Sequence, residues 1–318
     1  MKKLLISIVS WNTKELLRSC LTSLIEHTDS SCRIVVADNA SSDGTPEMIR
    51  QDFPSVELIE TGANLGFGRA HNMVAESSSE PFVLFLNPDT KLTEPIHTPM
   101  LQIFCRHEDV ALVGCRMVNL DGTDQPLGIQ LPTSPWTEFA SGFLSSSIVS
   151  EVTKFILPRH NPKESGFVRK LYGGCLMMRR TAAEQVGWFD DRFFMYGEDV
   201  DLSRRVESAG YKLFYTADTT LIHLCGGASK KAPGRFSTLM QCESIAKLMI
   251  KYYGRAGKVM YVLAVLTRAS FRLTLLVLPR LVSQVTKSNS LSAIQGSWAK
   301  NVSLLKWCLN QEKPAIPS

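Results

Sequence analysis

The eight cysteines of this 318-residue chain (Cys20, Cys32, Cys105, Cys115, Cys175, Cys225, Cys242, Cys308) form no Cys-x-x-Cys pair and no zinc-type spacing. A disulfide scaffold or a zinc module recognisable by spacing is therefore excluded, and free thiols in a reducing compartment are expected. There is no internal repeat, which excludes solenoids. No uninterrupted apolar run approaches the roughly 20 residues that a membrane-spanning helix needs. The start, Met1 to Asn12, has a short apolar run and no small-residue cleavage site, so it reads as a buried first strand rather than a leader. Acids are nearly missing from one region. Residues 247–318 hold eleven Lys or Arg and a single acid, Glu312, for +10. The whole chain carries 35 bases and 30 acids, so residues 1–246 hold 24 and 29, for −5. An acidic body with a basic, apolar tail points the tail toward an anionic surface.

With 44% hydrophobic and 20% charged residues, the chain can bury a sizeable core. The first hundred residues alternate strand and helix. Strands are predicted at Leu4–Ser10, Arg33–Asp38, Val56–Glu60 and Pro81–Leu86. Helices are predicted at Thr13–His27, from the Ser41–Pro46 turn to about Asp52, and at Gly66–Glu76. That alternation predicts a parallel, doubly wound arrangement. Ala111–Val118 is a further strand, and Asp121-Gly122 is a hairpin-type turn. Residues 125–167 are rich in Pro, Ser and Gly and read as loop with short helices. Leu171–Arg179 is apolar around Gly173-Gly174. Asp199–Ala209 is a helix closed by Gly210. Tyr211–Tyr215 and Thr220–Leu224 read as two short strands, followed by a Gly/Lys-rich loop at Gly226–Arg235.

Two acidic groups stand out: Asn87-Pro88-Asp89 directly after an apolar strand, and Glu198-Asp199-Val200-Asp201 at the mouth of a helix. Taken alone, each has an ordinary explanation. Pro-Asp after a strand makes a turn, Asp38 caps a helix, Glu198-Asp199 favours a helix N-terminus, and His223 is a core histidine. Taken together they follow apolar strands in the order in which a doubly wound sheet brings its loops to one edge, where ligands bind. One carboxylate can hold a hard cation and another can take a proton. For Gly173-Gly174, close ligand approach and a tight bend stand equal. Trp188, Phe189, Phe193 and Phe194 read as core or as a sugar-stacking surface. Lys230, Lys231 and Arg235 read as a solvated loop or as a cover for a diphosphate.

Joint order and spacing of several segments resemble the inverting family 2 glycosyltransferases of GT-A fold, in particular a rhamnosyltransferase-like branch that builds bacterial surface polysaccharide. The segments are 7–12, 36–44, 64–68, 85–89, 173–180, 186–190, 193–202 and 221–223, and the resemblance covers residues 3–230. It implies an α/β fold: a Rossmann-like mixed sheet flanked by helices in a GT-A domain (1–240), plus a C-terminal helical, amphipathic tail (241–318). It implies roles as well. Val9, Ser10, Asn12 and Asp38 would hold the base and ribose of a nucleotide sugar, with Asn64, Gly66 and Asn72 shaping the adjoining wall. Asn87 stands where the family has the first Asp of its metal motif and would touch ribose or metal through water. Asp89 would ligate Mg²⁺ or Mn²⁺, with His223 completing coordination. Asp199, beside Glu198, would be the catalytic base.

The donor implied is dTDP-L-rhamnose, with a UDP-hexose or UDP-GlcNAc donor as the alternative. A catalytically inactive nucleotide-sugar-binding protein is a second class, against which both Asp89 and Asp199 count. A nucleotidyltransferase would need a Gly-rich phosphate loop where Ser10-Trp11-Asn12-Thr13 stands. The implied acceptor is a polyprenyl-diphosphate-linked glycan of O-antigen type, and nucleic acid is not expected as a partner. In the tail, Arg268, Arg272 and Arg280 share one helical face beside Leu, Val and Phe. This predicts a helix lying in the cytoplasmic membrane interface, kinked or ended at Pro279. A helix docked on the body is the alternative.

Overall fold

In the computed structural model the described residues are 3–125, 133–137, 160–224, 235–286 and 291–316. They fall into two units, one of residues 3–125 and 160–224, the other of residues 133–137, 235–286 and 291–316. The loop 226–234 and most of 125–167 lie outside the described residues, so the expectations placed on them have no structural counterpart here.

The first unit is built on a nine-stranded mixed sheet. Four parallel strands come first: β1 (Leu4–Ser10), β2 (Cys32–Asp38), β3 (Glu57–Glu60) and β4 (Phe82–Leu86). Between them run α1 (Lys14–Glu26), α2 (Thr45–Asp52) and α3 (Phe67–Glu76). β1 is buried at every position, as its uninterrupted apolar run requires of a central strand. β5 (Thr90–Leu92), α4 (His97–Arg106) and β6 (Val110–Val118) follow, then β7 (Gly166–Val168), β8 (Cys175–Arg179), α5 (Arg180–Val186), α6 (Glu198–Ser208) and β9 (Lys212–His223). The spatial order is β3-β2-β1-β4-β8-β6-β9-β5, with β7 beside β9.

β8 runs antiparallel to both β4 and β6, and β9 is parallel to β6. This arithmetic of directions decides where the chemistry lies. The carboxyl ends of β1, β2, β4, β6 and β9 and the amino end of β8 all reach one edge. Two apolar layers cover the sheet. One includes Leu17, Leu21, Met100 and Phe104; the other includes Ala70, Val74, Phe189 and Leu202.

Three expectations are corrected. The two short strands at 211–224 are one twelve-residue strand. The interruption is real but is a bulge: Cys115 pairs with Thr216 and Arg116 with Thr220, so residues 217–219 bow out of register. Residues 90–106 hold a short strand and a helix that the pattern did not mark. In the second unit, α7 (Phe236–Thr286) runs through Pro279, and its break falls at Gly254 (φ 64°, ψ −163°).

α7 packs on α8 (Leu291–Cys308) through Tyr261, Val265, Ala269, Leu304 and Trp307. Val259, Leu263, Phe271 and Leu275, spaced by multiples of four, remain exposed on α7. A stretch within Phe236–Val277 has a mean hydropathy of 1.5, long and apolar enough to cross a membrane even though Arg268 and Arg272 interrupt it. That amends the expectation from uninterrupted runs.

Candidate active site

β4 ends at Leu86, and the next three residues turn across the edge. Asn87 N–H donates to Gly174 O (3.1 Å), and Leu224 N–H donates to Asp89 O (2.9 Å). Asp89 is thus tied to the end of β9, which delivers His223. His223 Nε2 lies 3.2 Å from Asp89 Oδ1 and 3.2 Å from Asn87 Nδ2. On the far side of the ring stands Gln125, just past the Asp121-Gly122 turn. Its Nε2 donates to the His223 main-chain oxygen (2.7 Å), which orients the amide so that Oε1 accepts from Nδ1–H (2.9 Å).

The proton assignment has a consequence. With Nδ1 as donor, the neutral ring presents its Nε2 lone pair toward a carboxylate oxygen 3.2 Å away. The Asn87 Nδ2–H group, also 3.2 Å from Nε2, can fill that lone pair, and a cation would take its place. A carboxylate and an imidazole, with an amide alongside, suit Mn²⁺ or Mg²⁺. The residues present therefore fit a divalent cation.

The second half of the site forms at the start of α6. Gly197 (φ 83°) and, unusually for a residue with a side chain, Tyr196 (φ 68°) adopt left-handed backbone before Glu198. Asp199 accepts from Gly173 N–H through Oδ2 (3.0 Å) and from Val200 N–H through Oδ1 (2.7 Å). Glu198 is buried, and its Oε2 has no partner. Burial, then the neighbouring Asp199 charge, pushes the Glu198 carboxyl well above its ordinary range. Burial also raises Asp199, opposed by its backbone donors. Adjacent carboxyls in one pocket do not both ionise easily. Asp199 has the Gly173 and Val200 N–H donors, so of the two it is the better placed to carry the charge.

Gly173 and Gly174 join the two halves. A methyl group on Gly173 would sit 3.7 Å from Asp199 Cβ; one on Gly174 would sit 2.9 Å from Met117 Sδ and 3.5 Å from His223 Cε1. The pair leaves the floor between Asp199 and His223 as bare backbone.

The residues expected on the nucleotide side lie at the ends of β1 and β2. Val9 is core. Ser10 Oγ is within 2.9 Å of Thr13 Oγ1, and Ser10 O accepts from Asn39 N–H. Asn12 Oδ1 accepts from Ser42 N–H (2.8 Å), bracing that loop. Asp38 Oδ2 accepts from Ser41 N–H (2.8 Å), whereas its Oδ1 is buried without a partner. Burial raises the Asp38 carboxyl, and a ribose hydroxyl is the kind of donor that would satisfy it. Trp11 Nε1, which motif reading passed over, is a second buried polar atom without a partner here.

Asn64 Oδ1 accepts from Gly66 N–H (3.1 Å). A side chain on Gly66 would strike Phe194 O at 2.2 Å, so this glycine (φ 82°) lets the segment before Glu198 pack on the loop before α3. Asn72 lies on α3. Its carboxamide is spent on Phe189 N–H (2.9 Å), Phe189 O (2.8 Å) and Asp191 (3.0 Å), which makes it a brace for the 188–191 turn. Phe189 and Phe193 are core; Trp188 and Phe194 are half-buried.

A mixed α/β sheet with these loops at one edge is the GT-A-type fold. It aligns with a mannosyltransferase from Pyrobaculum calidifontis solved with GDP-Man and Mn²⁺ (TM-score 0.55, 13% identity, 98% of this chain and 89% of that one). It also aligns with Staphylococcus aureus TarS 1–349 in complex with UDP (TM-score 0.51, 13% identity, 98% and 90%). The model of glycosyl transferase family 2 matches residues 6–187, and that of glycosyl transferase family group 2 matches residues 115–297. The chain belongs to glycosyl transferase family 2, in its rhamnosyltransferase-like branch, and is a glycosyltransferase. It is 32% identical, over 64% of its length and 70% of the relative's, to a Mycobacterium tuberculosis protein named N-acetylglucosaminyl-diphospho-decaprenol L-rhamnosyltransferase. It is 24% identical to rhamnosyltransferase WbbL of Escherichia coli, over 69% of this chain and 82% of that one.

Proposed function

We propose that this glycosyltransferase moves L-rhamnose, with inversion, from dTDP-L-rhamnose to a glycan carried on a polyprenyl diphosphate at the cytoplasmic membrane face. The observation that carries the reaction is Asp199 at the start of α6, held by the Gly173 and Val200 N–H groups beside the buried Glu198. The choice of sugar and acceptor is supported by the name of the mycobacterial relative.

Asp199 takes the proton from the acceptor hydroxyl as that oxygen attacks the anomeric carbon. The bond from that carbon to the nucleoside diphosphate breaks on the opposite face, and the diphosphate leaves with its electron pair. Asp38 and the main chain at Val9–Asn12 hold the nucleoside, while Asn64 and Gly66 form its wall. A divalent cation held by Asp89 and His223, with Asn87 beside it, would neutralise the charge gathering on the diphosphate. Gln125 holds the His223 ring in the tautomer that this binding requires. Gln125→Leu is expected to weaken Mn²⁺ binding about 10–100-fold, read by calorimetric titration. An unchanged affinity would remove Gln125 from this role.

The second unit provides the membrane contact in this reading. Exposed Val259, Leu263, Phe271 and Leu275 lie on a helix that also exposes Arg255 and Lys258. Apolar residues beside cations suit the headgroup boundary of an anionic bilayer, and Arg268 and Arg272 inside the stretch favour lying in the interface over spanning it. One experiment tests the whole reading: transfer of labelled rhamnose from dTDP-rhamnose to polyprenyl-diphosphate-linked N-acetylglucosamine in anionic and in zwitterionic vesicles. Transfer that is faster on anionic vesicles is expected. Turnover of a UDP-sugar in place of dTDP-rhamnose would overturn the donor, and equal rates on both vesicles would overturn the membrane role.

A further inference from the structure

A second cluster of ligand-type side chains lies far from the catalytic edge. Asp29, in the turn after α1, Cys32, the first residue of β2, and His97, the first residue of α4, bring a carboxylate oxygen, a thiol and a ring nitrogen within 4.8 Å of one another. Cys32 and His97 are buried, with 6% and 5% exposure, and His97 Nδ1 has no hydrogen-bond partner. Both hydrogen bonds to Asp29, from Ser31 N–H (2.7 Å) and Ser31 Oγ–H (2.5 Å), land on Oδ1, which leaves Oδ2 for another ligand. Cys32 N–H also donates to Asp29 O (3.1 Å), so the turn already holds the two residues together.

We propose that Asp29, Cys32 and His97 form a binding site for a zinc-like transition-metal ion, separate from the catalytic centre. Donor chemistry selects the metal. A thiolate and an imidazole favour Zn²⁺ over the Mg²⁺ or Mn²⁺ expected at Asp89. The size is compatible: a tetrahedral ion with bonds of about 2.0–2.3 Å holds its donors about 3.3–3.8 Å apart, so the three side chains draw in by at most about 1.5 Å. Asp29 sits on an exposed turn and supplies that movement. The positive end of α4 opposes a cation, but a thiolate and a carboxylate together cancel the charge of a divalent ion. Three side chains leave a fourth position for water or a further ligand. Cys32 and Asp38 are opposite ends of β2, about 20 Å apart, so this ion would not touch the nucleotide or the acceptor. Its effect would be to clamp the α1–β2 turn to the start of α4.

The test uses the full chain, stripped with a chelator and titrated with Zn²⁺ in saturating Mg²⁺. One Zn²⁺ per chain is expected, together with a higher Tm on loading. Replacement by Co²⁺ should give a thiolate-to-cobalt charge-transfer band that is lost in Cys32→Ser and kept in Cys105→Ser, an exposed cysteine elsewhere. Asp29→Asn, on the exposed turn, should weaken Zn²⁺ binding at least about tenfold. The proposal is overturned if the chain retains no Zn²⁺, if the band survives Cys32→Ser, or if Asp29→Asn binds Zn²⁺ as the parent does. Should Cys32→Ser fail to fold, the Asp29→Asn titration decides alone. Loss of Zn²⁺ in Asp89→Asn, with Asp29→Asn unaffected, would place the ion at the catalytic edge and likewise overturn it.

Discussion

Asp199→Asn is expected to lower kcat by about 10²–10⁴-fold, the usual contribution of a positioned general base, and to leave the donor dissociation constant unchanged. The Gly173 and Val200 N–H groups bond to different carboxylate oxygens, so an amide accepts from only one of them and turns its NH₂ toward the other. The substitution removes basicity and one acceptor. Equal loss of donor binding and turnover would take Asp199 out of the base role. Stability gives a second check, with a definite sign. The folded-state pKa of Asp199 is raised, so its contribution to stability is present below the unfolded pKa and is lost as pH rises through the folded one. At neutral pH the ionised carboxylate is therefore a burden on the fold. Urea unfolding of the parent should therefore show stability falling as pH rises through the folded pKa of Asp199, a dependence that Asp199→Asn lacks. The same raised pKa predicts that kcat declines on the acid side at a pH above the ordinary carboxylate range, a limb that Asp199→Asn lacks.

Much of this site was legible because strand ends are legible. Ser10, Asp38 and Asn87 to Asp89 each follow an apolar run, and parallel strands must deliver such residues to one edge. Glu198 and Asp199 were visible as acids crowded at a helix start, but which of them is better placed to carry the charge was not. It depends on which of the two meets backbone N–H groups, and one of those comes from Gly173, 26 residues away. Gln125 was invisible for a related reason. It orients His223 across 98 residues through the pairing of β6 with β9, and that pairing carries a bulge no local pattern announces. Asn72, expected to shape the wall beside the nucleotide, spends its carboxamide on the 188–191 turn, a pairing across 117 residues that no local pattern announces. The Asp29–Cys32–His97 cluster escaped because its third member is 65 residues beyond Cys32, where no metal motif would be sought.

Asp89→Asn should separate cleanly from Asp199→Asn, because it acts on binding before chemistry. Asp89 is buried, held by Leu224 N–H through its main chain, with His223 Nε2 3.2 Å from its carboxylate. Replacing it keeps the volume but deletes the one charge that Asn87 and neutral His223 cannot supply. A unit charge about 4 Å from a cation, at an effective dielectric of about 20, is worth about 4 kcal/mol per unit of cation charge. Mn²⁺ affinity is thus expected to fall by about 10³-fold or more, and the metal-dependent part of donor affinity to fall with it. The measurement is calorimetric titration of a dTDP-sugar with and without Mn²⁺, on the parent and on both variants. Asp199→Asn should keep the Mn²⁺ enhancement and Asp89→Asn should lose it, binding donor only as weakly as the metal-free parent. Should Asp89→Asn retain the enhancement, Asp89 is not the metal ligand, and the diphosphate charge must be met by side chains of this protein instead. That outcome would move the chain to metal-free transfer while leaving Asp199 as its base.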